Sequence, residues 1–217
     1  QQSDILSAAY ASHGDTKQVL LFPSTPKECF DFGALSVDLA ERLQTPVILM
    51  ADLDLGMNDN MSEPLHWDDE REFDRGKVLN AQQLEDMTQF GRYLVVDGDG
   101  ICYRTYPGTH PEKGAFVTRG TSRDEYAAYT EKGEEYEKCM LRLMAKWETI
   151  KEYVPGPEVF LASQKTDTAV LFFGTSEESS REAVDYLVED GIYLNAMRVR
   201  AFPFDKEVEE FLHSHER

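Results

Sequence analysis

The residue types best suited to chemistry fall in a few short runs. Tyr103-Arg104-Thr105 leads into Pro107-Gly108-Thr109-His110-Pro111, so an arginine and a histidine flank a rigid Pro-Gly turn. A guanidinium and an imidazole beside such a turn suit a carboxylate or phosphate group, which makes Arg104 and His110 the expected substrate or anion contacts. The same side chains serve equally as salt-bridge partners within a fold. Asp97-Gly98-Asp99-Gly100 opens like a calcium loop, yet the fifth and twelfth positions fall on Ile101 and Gly108, which offer no side-chain oxygen. A turn between short strands is expected there instead. Gly174-Thr175-Ser176 stands where a strand passes into a helix and could present N–H groups to a phosphate; without a lysine or a glycine-rich loop it reads as a helix cap. His213 and His215 make two metal ligands at most and are expected on solvated surface.

No Ser-His-Asp arrangement, P-loop, dinucleotide fingerprint or metal-ligand spacing is present, so no catalytic residue, cofactor-binding residue or metal ligand is assigned. Cys29, Cys102 and Cys139 are far apart with no Cys-x-x-Cys, so neither a disulfide framework nor a zinc knuckle is indicated. An iron–sulfur cluster needs about four thiolates, more than this chain has. Lys plus Arg number 22 against 41 Asp plus Glu, a net charge of −19. Such a surface repels phosphate backbones and anionic lipid, so neither nucleic acid nor a membrane is the expected partner. A hydrophobic content of 41% argues for a folded globular protein. The apolar runs are too short for a membrane span or a signal sequence, and a reduced, cytoplasmic setting is the default.

The elements that must position these residues read as two α/β units separated by a long irregular stretch. Ser3 caps a first helix that Gly14 closes, and Gln18 to Phe22 forms a buried strand. Thr25, Pro26 and Glu28 form a helix start with a capping box, and Leu35, Leu39 and Leu43 give that helix an apolar face. Residues 46–50 are a second buried strand, completing a βαβ unit with a parallel sheet. From about Asp52 to Gly133 glycines, prolines and charges dominate, and only Ala81 to Phe90 reads as helical. Loops of that length are more often functional or interface-forming than idle. Glu134 to Tyr153 is a charged helix with Met140, Leu143, Met144 and Trp147 on one side, stopped by Pro155-Gly156-Pro157. Beyond it come a buried strand from Thr168 to Phe173, a helix capped by Thr175 and closed by Gly191, a strand from Ile192 to Phe202, and a helix capped by Asp205. A parallel sheet this small leaves unpaired edges, which implies a partner or further chain. The start at Gln1 rather than Met carries the same expectation of a piece of a longer polypeptide.

Several runs together resemble one family. They are Gln1 to Leu6, Thr45 to Asp59 with its Leu-Asp-Leu-Gly-Met-Asn-Asp core, Phe90-Gly91-Arg92-Tyr93-Leu94, Asp97 to Ile101, and Val117-Thr118-Arg119-Gly120. They are similar to the α subunit of 2-oxoacid:ferredoxin oxidoreductases. The Leu-Asp-Leu-Gly run and the Tyr-Arg-Thr-x-Pro-Gly-Thr-His-Pro run are similar to the 2-oxoglutarate branch, where γ and α parts are often fused. The resemblance implies an α/β chain in three parts: residues 1–57 as the end of a thiamine-pyrimidine-binding domain, 58–157 as a linking segment, and 158–217 as a truncated domain like the C-terminal domain of transketolase.

The family's reaction is oxidative decarboxylation of a 2-oxoacid with coenzyme A to an acyl-CoA, with electrons passed to ferredoxin. By that resemblance thiamine diphosphate with magnesium and the iron–sulfur clusters are held mainly by a β subunit, and none is bound by this chain alone. The expected partners are that β subunit, ferredoxin, coenzyme A and the 2-oxoacid. Acidic ferredoxins should dock away from this acidic surface. The family's activating glutamate and its substrate-binding Arg and Thr motif lie upstream of Gln1, so none is carried over and the chain alone is expected to be inactive. Arg123-Asp124-Glu125 departs from the His-Asp-Glu of many relatives. Two alternatives stand beside this reading: a non-catalytic docking or assembly module of such a complex, and a relative acting on pyruvate or indolepyruvate.

Overall fold

The computed structural model describes residues 4–12 and 16–217. The Ser3 cap, the closing Gly14 and the first three residues of the Gln1 to Leu6 run lie outside the described residues. Helix α1 (Asp4–Ala9) leads to strand β1 (Val19–Leu21), helix α2 (Pro26–Leu43) and strand β2 (Val47–Leu49). β1 and β2 pair in parallel with Val19 opposite Val47, so the βαβ unit forms as expected. Thr25 Oγ1 accepts the Glu28 N–H at 3.2 Å and Pro26 opens α2. Glu28 does not close the box on Thr25; its carboxylate accepts the N–H of Ser24 at 2.9 Å.

The middle stretch holds three helices: α3 (Leu53–Met57), α4 (Ala81–Asp86) and α5 (Gly133–Ile150). α3 was not expected, because a single turn leaves too short a pattern to read. Its start is legible in hindsight, since Asp52 Oδ1 accepts the Leu55 N–H at 3.0 Å. α4 begins with a capping box between Asn80 and Gln83 but ends at Asp86, short of Phe90. On α5 only part of the expected apolar side is covered. Trp147 packs against the core with Ile150, whereas Met144 is 66% exposed.

Strands β3 (Glu158–Phe160), β4 (Ala169–Phe172), β5 (Asn195–Arg198) and β6 (Ala201–Phe202), with helices α6 (Ser176–Glu189) and α7 (Lys206–His213), complete the chain. The expected strand from Ile192 to Phe202 is instead two strands in two sheets. One sheet has the order β2-β1-β6 and the other β3-β5-β4. The hydrogen bonds show the handover: Val199 N donates to Phe172 O, and one residue later Arg200 O accepts from Phe22 N, each at 2.8 Å. Neither sheet is purely parallel, because β6 runs antiparallel to β1 and β3 antiparallel to β5. The last β-unit is also less buried than expected, with Leu171 on β4 38% exposed and only Phe172 shielded.

The core follows from this arrangement. Leu39 and Leu43 of α2 and Ile150 of α5 press on one face of the first sheet through Val19 and Leu21. Ala9 and Val199 cover Leu20 and Phe22 on the other. Alternation of side chains along β1 supplies both faces.

Candidate functional site

Arg104 is positioned by a strand-like bridge to Val78, its N–H donating to Lys77 O and its C=O accepting from Leu79 N, both at 2.9 Å. Its guanidinium pairs with Glu41 of α2 and donates to Arg75 O at 2.8 Å. Arg104 holds the Glu41 carboxyl below its usual range, chiefly through that hydrogen bond. His110 Nδ1 accepts the N–H groups of Glu112 and Lys113 at 3.1 and 2.9 Å, which leaves its proton on Nε2, 2.8 Å from Glu85 Oε2. The two expected anion contacts therefore each face a carboxylate of this chain, Arg104 on α2 and His110 on α4. The structure gives them separate partners.

The Asp97 to Gly100 loop closes on an internal cation. Lys77 Nζ lies 2.6 Å from Asp97 Oδ1, 2.7 Å from Asp99 Oδ2 and 3.1 Å from Ile101 O. Burial opposes the charge on Lys77, but the two aspartates more than reverse that and raise its pKa. The loop then docks on α5, where Arg142 donates to Gly100 O at 3.1 Å and Thr149 to Asp99 O at 2.8 Å.

At the Gly174-Thr175-Ser176 junction an internal anion, the Asp52 carboxylate, takes the N–H group that could face a phosphate. Thr175 N and Oγ1 donate to Asp52 Oδ2 at 3.1 and 2.5 Å, and Thr175 makes no capping bond within α6, correcting the expected cap. The hydroxyl is spent on Asp52, which thereby ties α3 to the start of α6. Burial pushes the Asp52 carboxyl up, and these hydrogen bonds more than offset it. His215 is held by Asn195 at 2.8 Å and Phe211 O at 2.7 Å, so it packs rather than standing free.

Sequence reasoning missed two features. Arg198 is buried and meets Glu28, with Glu158 and Glu177 at 3.2 and 3.1 Å, joining α2, β3, β5 and α6. Lys146 reaches from α5 to the C-terminal end of α2, donating to Leu43 O, Gln44 O and Thr45 Oγ1 at 3.3, 3.2 and 2.6 Å. These oxygens sit at the negative end of the helix dipole. Burial, aided by the charge of Arg142, lowers Lys146 to about 8. It lines a cavity of about 670 Å³ with Gln18, Tyr136, Met140, Leu143 and Trp147. Neither feature has a local signature, because Arg198 meets Glu28 from 170 positions away and Lys146 meets Leu43 from 103.

Two small mixed sheets, a parallel crossover through α2 and helices on the sheet faces define an α/β protein. Residues 1–146 match the family described as pyruvate flavodoxin/ferredoxin oxidoreductase, thiamine diphosphate-binding, and the chain belongs to this family. It is 28% identical over its whole length to the α subunit of 2-oxoacid:ferredoxin oxidoreductase 2 of Aeropyrum pernix, covering 33% of that protein. It is 25% identical over 94% of its length to the 2-oxoglutarate synthase subunit KorA of Methanocaldococcus jannaschii, covering 52% of it. A solved 2-oxoglutarate:ferredoxin oxidoreductase from Magnetococcus marinus, with 2-oxoglutarate, coenzyme A and succinyl-CoA bound, shares the fold. The TM-score is 0.82 at 21% identity, over 100% of this chain and 37% of that one. The chain thus spans about a third of the length of the first of these relatives.

Among the described residues the buried polar and charged side chains are Gln18, Thr45 and Arg198, and none of these is a carboxylate. Nor do three or more His, Cys, Asp or Glu side chains cluster for a metal ion among the described residues.

Proposed function

We propose that this chain is part of the α, or fused γα, subunit of a 2-oxoacid:ferredoxin oxidoreductase acting in the cytoplasm. The complex converts a 2-oxoacid, 2-oxoglutarate before others, and coenzyme A to an acyl-CoA and passes the electrons to ferredoxin. The observation that carries this reading is the family match over residues 1–146. Residues 1–57 belong to the cofactor domain, 58–157 to the linking segment and 158–217 to the transketolase-like domain. Thiamine diphosphate with magnesium and the iron–sulfur clusters are held mainly by the β subunit. This chain's residues supply a wall and an interface: Arg198, Asp52 and Lys146 fix the sheets and helices relative to one another, and Arg104 and His110 are the candidate contacts for an anionic group.

The test is viologen reduction by the complete complex with coenzyme A and, in turn, 2-oxoglutarate, pyruvate and indolepyruvate. Turnover fastest with 2-oxoglutarate is expected; preference for another acid overturns the substrate assignment, and none with any 2-oxoacid overturns the activity. A second reading, a docking module without a chemical role, is favoured by the internal pairing of Arg104 with Glu41 and His110 with Glu85. Arg104→Ala separates the two: altered KM or kcat supports substrate contact, and weakened assembly with unchanged kinetics supports docking.

A further inference from the structure

In a chain with 41 acidic and 22 basic side chains, an arginine without a carboxylate ion-pair partner stands out. Arg42, Arg71 and Arg181 each have one. Arg92, Arg123 and Arg142 do not among the described residues, and all three surround one ring. Their guanidinium carbons lie 5.2, 5.4 and 5.7 Å from the centroid of Tyr93. Their hydrogen bonds go to neutral groups. Arg123 donates to Tyr93 Oη at 3.2 Å and Gly120 O at 3.1 Å, and Arg142 to Gly100 O at 3.1 Å. The buried Nε of Arg142 has no partner. Burial holds Arg92 below the usual arginine value, and the nearby charge of Arg142 adds to this.

Arg123, Arg142 and Tyr93 line a cavity of about 330 Å³ that also meets Lys138. Acids stand on its wall too, but most are engaged. Asp124 Oδ1 accepts the Tyr126 and Ala128 N–H groups, each at 2.9 Å, and Glu135 pairs with Lys138 at 3.0 Å. Glu125 is the carboxylate that remains. A single carboxylate ligand matches the fork of one guanidinium in a plane, whereas cations arriving from different directions match a tetrahedral dianion.

We propose that this cavity binds the phosphate group of a small molecule, contacted by Arg123 and Arg142, with Arg92 adding its field from beside the same ring. The inference stands apart from the assigned reaction, since it rests on charge and geometry in the linking segment alone. Two cations at one phosphate in a partly desolvated cleft are each worth about tenfold or more in affinity.

The experiment titrates the full chain with inorganic pyrophosphate, orthophosphate and phenyl phosphate, read by calorimetry and by the ³¹P resonance. Saturable binding of pyrophosphate is expected, weakened about tenfold or more by Arg123→Gln and measurably by Arg92→Gln. Arg119→Gln leaves it unchanged, because Arg119 stacks on Tyr129 instead. Phenyl phosphate binding more tightly than orthophosphate assigns the site to a phosphate ester, and the reverse order to a free ion. Circular dichroism of each variant confirms that it is folded, and Arg123→Lys, which keeps the charge, should recover part of the loss. No saturable binding, equal affinity in Arg123→Gln, or citrate binding as tightly as pyrophosphate would overturn the proposal.

Discussion

Gly98 and Gly100 offer a controlled test of how the Asp97 to Gly100 loop meets α5. Both take left-handed backbone, with φ of 83° and 76°, so an alanine at either carries a similar strain of about 1 kcal/mol. Their surroundings differ. A Cβ on Gly98 meets nothing within 4 Å, whereas one on Gly100 lands 2.6 Å from Arg142 O and 2.8 Å from Lys146 Cα, and against Lys146 N. All three are helix backbone, which cannot swing aside as a side chain can. Overpacking of this kind adds about 1–3 kcal/mol, and separating the loop from α5 also threatens the Arg142 and Thr149 hydrogen bonds to it. Gly100→Ala should therefore cost about 3–4 kcal/mol, and Gly98→Ala about 1. For a domain of this size the corresponding falls in Tm are about 6–16 °C and about 2–4 °C. Differential scanning calorimetry of both variants under one buffer measures the difference. Equal falls in Tm would refute the close approach of loop and helix.

Arg198→Met should destabilise the chain at neutral pH by about 2–4 kcal/mol, less than a fully orphaned pair, because Arg200 stays 3.0 Å from Glu28 and Arg181 3.3 Å from Glu177. Burial raises the Glu28 pKa, but Arg198, the Ser24 N–H and Arg200 bring it below 4.5. Its contribution is thus present above pH 4.5 and lost as pH falls through the lower folded value. In Arg198→Met, urea midpoints should fall less steeply on acidification than in the wild type. Lys146 has the opposite sense. With a folded pKa of about 8 against 10.5 unfolded, the unfolded chain binds more protons between those values. Lys146 therefore makes stability rise from about pH 8 to 10.5, by up to about 3 kcal/mol. Lys146→Met should flatten that rise in denaturation curves taken across the window, and an unchanged slope would show that the amine is not desolvated.

What could be read along the chain was local. Thr25 and Pro26 before α2, Asp205 before α7, and the spacing of Leu35, Leu39 and Leu43 each act within a turn or two, so the βαβ unit and the last helix followed from them. The family was legible for a related reason, since contiguous runs such as Leu53 to Asp59 carry it without any knowledge of packing. Other choices could not be made locally. Whether Thr175 caps α6 or bonds Asp52 depends on a residue 123 positions away. Where the strand after Ile192 divides depends on Phe22 and Phe172 competing for its backbone, and no residue in it marks the point. The sequence offers Arg104 and His110 as contacts for an anion, but only the fold decided that Glu41 and Glu85 face them. Residue type and short-range spacing determined the longer helices, the parallel unit and the family. Tertiary structure decided which charges meet, because electrostatic pairing depends on distance in space, and the chain brings distant positions together only once its apolar faces are buried.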